Sequence, residues 1–194
     1  MPTVSLSSDN ATKLLARSTA WMLAMDSHWA PENGFCLGWP SAARMADRFD
    51  PYPYNASVLM DAWEGALAAH MQPNFWPSLG GGGLEQVGAT QAVNELLLQS
   101  FEGFLRFFPG WPVGESASFI TLRAVGAFLV SGAVDEAGHI SGVRVVSERG
   151  VVCEFVPFSD KAVVRNRGKE VALSSVGGGR LSFRTSTGEC YDIE

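Results

Sequence analysis

Residues 80–112 read GGGGLEQVGATQAVNELLLQSFEGFLRFFPGWP, which joins a glycine turn, an apolar segment and an aromatic exit in that order. The four glycines at 80–83 allow the backbone to approach another group closely, because glycine has no side chain and adopts conformations that other residues avoid. Glu85 places a carboxylate directly after this turn. The apolar residues Val93 and Leu96 to Leu98 form a wide stripe at helical spacing. We therefore predict a helix after the turn that is buried on more than one side.

Side chains that can accept backbone hydrogen bonds precede the apolar patterns and predict where helices begin. The first predicted helix is capped by Asp9 or Asn10 and ends at Met25, and the second, Ala56 to His70, is capped by Asn55. A third helix is capped by Thr90 and is followed by Gly103, and a short helix covers residues 41–48. All of them lie before Trp111.

After Trp111 the pattern changes to alternating residues with frequent turns, which is typical of antiparallel strands. The predicted strands are residues 119–131, 140–147, 151–157, 161–165, 170–174, 181–185 and 190–193. The fold class is therefore α+β, with a helical region over residues 1–113 and an antiparallel β-sandwich over residues 114–194.

Charge and hydrophobicity exclude some classes of protein. The formal net charge is −6, and no cluster of Lys or Arg appears, which argues against a nucleic-acid partner because such binding depends on basic surface. Charged residues make up only 18% of the chain, which suggests that some apolar surface is covered by a neighbour. The first residues, MPTVSLSSDN, lack the pattern of a signal peptide, and no run approaches the roughly 20 apolar residues of a membrane span. We expect a soluble chain with no membrane partner, and its compartment stays open.

Neither a metal site nor a nucleophilic triad is predicted. Cys36, Cys153 and Cys190 lie far apart without the spacing of metal ligands, so they are expected to be free thiols, or to form one pair between strands. No Ser or Cys is arranged with a His as nucleophile and base. The glycine turn lacks the Gly-Lys-Ser/Thr of a phosphate-binding loop.

Several motifs occur in an order that matches a known family. They are Pro73-Asn74, the glycine turn, Asn94 to Ser100 (NELLLQS) and Arg106 to Pro112 (RFFPGWP), followed by Ala117-Ser118-Phe119 and Leu122 to Val130 (LRAVGAFLV). Over about residues 38–158 the chain resembles the C-terminal part of glycoside hydrolase family 95. That family contains α-L-fucosidase-like and α-L-galactosidase-like enzymes, in which an (α/α)6 barrel is followed by a β-domain.

The resemblance implies inverting hydrolysis of fucose- or galactose-containing glycans without a cofactor. Inversion requires an acid and a base about 6.5–9.5 Å apart, so that water can enter between them. Counting back from Gln99-Ser100, Leu84 occupies the position of the Asp that helps to activate water in active family members. Glu85 follows it, and a Gly-Gly-x-Glu turn resembles a divergent branch of the family, so Glu85 is the predicted catalytic carboxylate. The family's general acid lies on an earlier barrel helix, upstream of this sequence, and Phe101 replaces a common His.

Other residues near the turn are predicted to contact substrate, and each has a structural alternative. Trp39 and Trp76 stand beside prolines in loop contexts, and Trp29 precedes Ala30-Pro31. The rings of all three suit stacking on sugar C–H groups. The further substrate contacts are expected from Asn74, Gly82, Gly83 and Gln86. Trp21 and Trp63 fall in helical patterns and are assigned to packing, and Trp111 is assigned to the junction of the two regions. Glu95 is expected to make a buried hydrogen bond. Asp61 and Glu64 are expected to lie on a solvated helix face. Glu85 itself could instead be a helix cap.

Two functions from different classes follow. The chain is either a glycoside-hydrolase-like protein that represents the C-terminal portion of the enzyme, or a non-catalytic carbohydrate-binding or accessory remnant that lacks the upstream general acid. A fragment with exposed apolar helix faces is a third possibility. The expected partners are carbohydrate and either the missing N-terminal part of the enzyme or a second copy of the chain.

Overall fold

The computed structural model describes residues 4–25, 39–49, 55–74 and 83–194. Within these ranges the chain forms helices first and then mostly antiparallel sheets, which confirms the predicted α+β class. It divides into two compact units. The helical unit runs to Leu96 and includes Pro109–Pro112, and the sheet unit comprises Leu97–Phe108 and Val113–Glu194.

The helices of the described residues are α1 (Asn10–Met25), α2 (Trp39–Met45), α3 (Ala56–His70) and α4 (Gly83–Leu97). Local capping sets the first residues of two of them. Asp9 Oδ1 accepts a hydrogen bond from the Thr12 amide at 3.0 Å, and Asn55 Oδ1 accepts one from the Val58 amide at 2.9 Å. Each cap satisfies an amide that has no partner inside its helix. The predicted starts of α1 and α3 are therefore confirmed.

The predicted cap at Thr90 is wrong, because α4 begins at Gly83 and Thr90 lies inside it. Glycine in a helix costs only about 1 kcal/mol relative to alanine, and tertiary packing overrides that preference. The helix ends at Leu97 rather than before Gly103, because Leu98–Gln99 pairs as a strand with Arg106–Phe107. Gly103 lies in the turn between these strands with φ +88°, and its amide donates to the Ser100 carbonyl at 2.9 Å.

The core of the helical unit combines tryptophans with alanines, and we call it the Trp/Ala cluster. Its buried members are Ala20, Trp21, Trp39, Ala42, Ala43, Ala46, Leu59, Met60, Ala92 and Leu96, with Ala62, Trp63, Ala66, Leu67 and Trp111 partly buried against them. Small residues let the helices approach closely while the indole rings fill the remaining volume, which gives the packing density that protein interiors require.

The strands are β1 (Leu98–Gln99), β2 (Arg106–Phe107), β3 (Ala117–Ala124), β4 (Phe128–Val134), β5 (Ile140–Ser147), β6 (Val152–Phe155), β7 (Val164–Asn166), β8 (Lys169–Glu170), β9 (Ser174–Gly177), β10 (Arg180–Arg184) and β11 (Cys190–Ile193). They form a pair β1-β2, a three-stranded sheet β6-β10-β9 and a six-stranded sheet β3-β4-β5-β11-β7-β8. Every pairing between these strands is antiparallel.

The six-stranded sheet has one apolar and one polar face. Val130, Val145 and Tyr191 stand in register on three adjacent strands, and all are buried. On the opposite face Arg144, Asp192 and Arg165 are also in register, and Arg144 Nε lies 2.9 Å from Asp192 Oδ1. This alternation is the pattern expected of a sheet with one face on a core and one in solvent.

The strand predicted over residues 119–131 is wrong, because these residues form the β3–β4 hairpin. Its turn contains Gly126 with φ +90° and Ala127 with φ +59°. Alanine rarely adopts a positive φ, so the sequence Val-Gly-Ala gives little local indication that the chain turns here. Hydrogen bonding along the two strands supplies the compensating energy.

Residues 97–108 belong with the sheets, whereas the predicted division lies after residue 113. The Leu105 amide donates to the Glu154 carbonyl at 2.9 Å, and the Val156 amide donates to the Leu105 carbonyl at 2.9 Å. The Phe108 ring centroid lies 5.2 Å from that of Phe119. These contacts join residues far apart in sequence, which local patterns cannot show.

Cys153 and Cys190 are free thiols, and Cys36 lies outside the described residues. Burial raises the pKa of the Cys153 thiol to about 12, and its side chain is fully buried on β6. We expect iodoacetamide at pH 8 to leave Cys153 unmodified in the native protein, because the thiolate is the reactive form. Mass spectrometry after labelling in increasing urea measures this, and modification of Cys153 should rise only with global unfolding. Labelling of native Cys153 at the rate of an unfolded cysteine would contradict its burial.

Candidate functional site

The amino end of α4 carries the predicted catalytic carboxylate. Because the helix begins at Gly83, Glu85 is its third residue and lies in the first turn. The first four amides of a helix have no intrahelical acceptor, and the helix dipole there favours a negatively charged group. The side chains of Glu85 and Gln86 lie outside the described residues. The backbone therefore establishes that Glu85 stands in the first turn of α4.

Helical spacing relates position 85 to the buried face of α4. Positions 85, 88, 92 and 96 fall on one side of an α-helix, because each step of three or four residues nearly completes a turn. Gly88 is buried, and Ala92 and Leu96 are each 3% exposed within the Trp/Ala cluster. Position 85 therefore lies about one turn beyond Gly88 on the same side of α4 that contributes to the cluster.

Of the other residues predicted to contact substrate, Trp39 is buried and Asn74 is exposed. Trp39 is the first residue of α2 and is only 4% exposed, so its ring is not available for stacking on a sugar. The loop predicted from Trp39-Pro40 is wrong because proline is tolerated in the first turn of a helix, where its missing amide would lack a partner anyway. Asn74 is exposed in a turn after α3, and Gly83 begins α4. Trp29, Trp76 and Gly82 lie outside the described residues.

Arg44 is a residue of this region that sequence reasoning missed. Its Nη2 lies 2.5 Å from Glu95 Oε1, and the Glu95 side chain is 11% exposed. The predicted buried hydrogen bond of Glu95 is thus confirmed, and its partner comes from α2. An acidic residue inside the apolar run of α4 signals that a donor is required, but spacing along the chain does not identify which one.

Two further arginines connect separate segments of the helical unit. Arg17 Nε on α1 donates to the Met45 carbonyl at the end of α2, at 3.1 Å. The Arg48 amide donates to the Pro109 carbonyl at 3.1 Å. The Arg44–Glu95 pair and the Arg17 contact hold α2 against α4 and α1, and the Arg48 backbone amide joins the segment after α2 to residues 109–112.

The Arg44 and Glu95 side chains are expected to be coupled, so replacing one of them leaves the other without its partner and lowers the free energy of unfolding. Arg44→Met removes the positive charge beside a buried carboxylate, and we expect it to lower the free energy of unfolding by about 1–3 kcal/mol. The effect is smaller than for a fully buried pair because the Arg44 side chain is 31% exposed. In urea unfolding, the Arg44→Met/Glu95→Leu double variant should lower the free energy of unfolding by less than the sum of the two single variants.

A matched control comes from the exposed pair Arg144–Asp192, whose side chains are 59% and 44% exposed. Arg144→Met should change the free energy of unfolding by less than about 1 kcal/mol. Strict additivity of Arg44→Met and Glu95→Leu would show that the two side chains do not act as a pair.

Within the described ranges, no group of three or more His, Cys, Asp or Glu side chains is placed to hold a metal ion. In the same residues, no helix has both the length and the apolar character needed to cross a membrane. No model of a known protein family matches the chain, and no curated protein sequence matches it.

Proposed function

We propose that this chain is a glycoside-hydrolase-like protein that acts on fucose- or galactose-containing glycans by inverting hydrolysis. The observation that carries the proposal is that α4 begins at Gly83, so Glu85, which closely follows the four glycines at 80–83 in the sequence, lies in the first turn of this helix. The order of the motifs between Pro73 and Val130 supports resemblance to the same family. The proposal assigns to this chain the carboxylate that accepts the proton of the attacking water.

The chemistry needs a second group on the opposite face of the sugar ring. In an inverting reaction the base takes a proton from water while an acid protonates the leaving oxygen. By resemblance, the acid belongs to polypeptide that lies amino-terminal to this chain in the whole enzyme, or it is supplied by an associated chain. Ordinary acid–base catalysis of this kind requires no cofactor.

The proposal includes a finer architecture than the helices and sheets themselves. Helices α1 to α4 would be the end of an (α/α)6 barrel, and the sheet unit would be the β-sandwich domain that follows it. The ring centroids of Phe183 on the three-stranded sheet and Tyr191 on the six-stranded sheet lie 5.2 Å apart, which supports face-to-face packing of the two sheets.

A non-catalytic carbohydrate-binding role is the second candidate. It is favoured by Leu84, which stands where active family members carry the water-activating Asp and cannot accept a proton. In that case the helical unit binds sugar without hydrolysing it.

Two measurements on the full chain separate these functions. The first is release of p-nitrophenol from p-nitrophenyl α-L-fucoside and from the corresponding α-L-galactoside, with the anomer of the released sugar identified by NMR. The second is calorimetric binding of L-fucose and L-galactose. Turnover that first yields the inverted anomer supports hydrolysis, and saturable binding without turnover supports the second function. A chain that neither binds nor hydrolyses these sugars would refute both.

A further inference from the structure

One side of helix α1 is exposed and apolar. Leu14, Leu15 and Met22 are 58%, 71% and 57% exposed. Single exposed apolar residues are common on protein surfaces, but several on one side of a helix form a contiguous patch, and such patches mark sites of association. Ala11 and Ser18 lie among them and are also exposed. We call these five residues the α1 stripe.

The charged residues of α1 lie on its other side. Within residues 10–22 they are Lys13 and Arg17, which are half-buried and stand at helical spacing from the buried residue Ala20. The α1 stripe therefore contains no charge. A partner that covers it must present an equally uncharged surface, because a charge buried there without a counter-charge would be costly.

The hydroxyl groups on the exposed side of α1 do not oppose burial. Ser18 Oγ donates a hydrogen bond to the Leu14 carbonyl at 2.9 Å, and Thr19 Oγ1 donates one to the Leu15 carbonyl at 3.0 Å. Each hydroxyl proton is thus already used within the helix. A partner can cover both side chains without leaving a buried donor unsatisfied, which is the main penalty for burying a polar side chain.

The sizes of the residues along the α1 stripe indicate which partner fits. Ala11, Leu15, Ser18 and Met22 follow each other at steps of four, three and four, the spacing of residues that meet in a pair of helices. They alternate between small and large. Antiparallel pairing with α1 of a second copy sets Leu15 against Ser18 and Met22 against Ala11, so each layer joins a large residue to a small one, as close packing favours. A parallel pair would set like against like.

We infer that two copies of this chain associate through α1, as an antiparallel helix pair about a two-fold axis that passes between Leu15 and Ser18. The second copy supplies the uncharged helix face that the α1 stripe requires, and the antiparallel arrangement opposes the two helix dipoles. One helix pair forms an interface at the small end of the range for specific complexes, so we expect reversible association at micromolar concentrations. The inference is independent of the proposed function, because it concerns the assembly of the chain and not its chemistry.

Leu15→Glu tests the pairing, because glutamate is a good helix former and places two unpaired charges in each dimer. Sedimentation velocity of the full chain from about 1 to 300 μM should show a dimer whose dissociation constant rises at least about 30-fold in this variant. Ile120→Glu is the matched control, since Ile120 is an apolar residue of β3 that is 80% exposed. It should leave the dissociation constant within about 2-fold. Circular dichroism verifies that both variants keep their helices.

A mixing experiment tests the orientation. In the antiparallel pair, position 18 of one copy lies opposite position 15 of the other. An equimolar mixture of Leu15→Glu and Ser18→Lys chains should therefore associate roughly 10-fold more tightly than either variant alone. The absence of this gain overturns the inference, and so does equal dimerisation of Leu15→Glu and the unaltered chain. An unaltered chain that stays monomeric over this concentration range also overturns it, and is the result expected if a different polypeptide covers the α1 stripe.

Discussion

Glu85→Gln is expected to lower release of fucose from p-nitrophenyl α-L-fucoside by roughly 10²–10⁴-fold, the range that one positioned general base contributes. Glutamine keeps the size and the hydrogen-bonding oxygen of the side chain but cannot accept the proton of the attacking water. Affinity for L-fucose should therefore change much less than turnover.

Glu64→Gln is the control for this experiment. Glu64 is an exposed residue of α3, so the same change of charge occurs on a helix of the same unit without altering the proposed site. It should leave both turnover and sugar binding unaltered. Full turnover by Glu85→Gln would show that another group activates the water, and the assignment of Glu85 as base would then be abandoned.

Phe155→Ala is expected to lower the free energy of unfolding by about 3–5 kcal/mol, as found for large aromatic side chains removed from tightly packed cores. Phe155 is fully buried on β6, and its ring centroid lies 6.4 Å from that of Phe107 and 6.0 Å from that of Phe183. Domains are commonly stable by only about 5–15 kcal/mol, so this loss is a large part of the total. Urea unfolding monitored by circular dichroism measures it.

Ile120→Ala provides the comparison in the same unit. Ile120 is a residue of β3 that is 80% exposed, so its truncation removes few packing contacts and should change the free energy of unfolding by less than about 0.5 kcal/mol. If Phe155→Ala and Ile120→Ala destabilised the protein equally, the aromatic packing around β6 would not be the main source of stability in the sheet unit.

Interactions within a few residues explain the predictions that succeeded. The caps at Asp9 and Asn55 each involve an amide three residues away, so the side chain that begins the helix is visible in the sequence. The buried hydrogen bond of Glu95 could also be predicted, from its place in the helix and its match to a helical Glu of the family that the sequence resembles. Its partner Arg44 could not, since the two residues are 51 positions apart.

The predictions that failed depended on local signals that had two interpretations. Trp39-Pro40 suits a loop or the first turn of a helix, and burial in the Trp/Ala cluster selects the helix. The leucines at 96–98 suit a helix throughout, but strand pairing with Arg106–Phe107 ends the helix at Leu97. In both cases a tertiary contact selected one of two conformations that the local sequence permits.

The amino-acid sequence by itself determined the α+β class, the first residues of α1 and α3 and the presence of a carboxylate after a glycine turn, because capping and periodicity act within one or two helical turns. Only the tertiary structure decided that residues 97–108 join the sheets, that Trp39 is buried and that Arg44 pairs with Glu95. These outcomes depend on which distant groups share a core, and burial there, rather than local preference, sets the energy of each side chain.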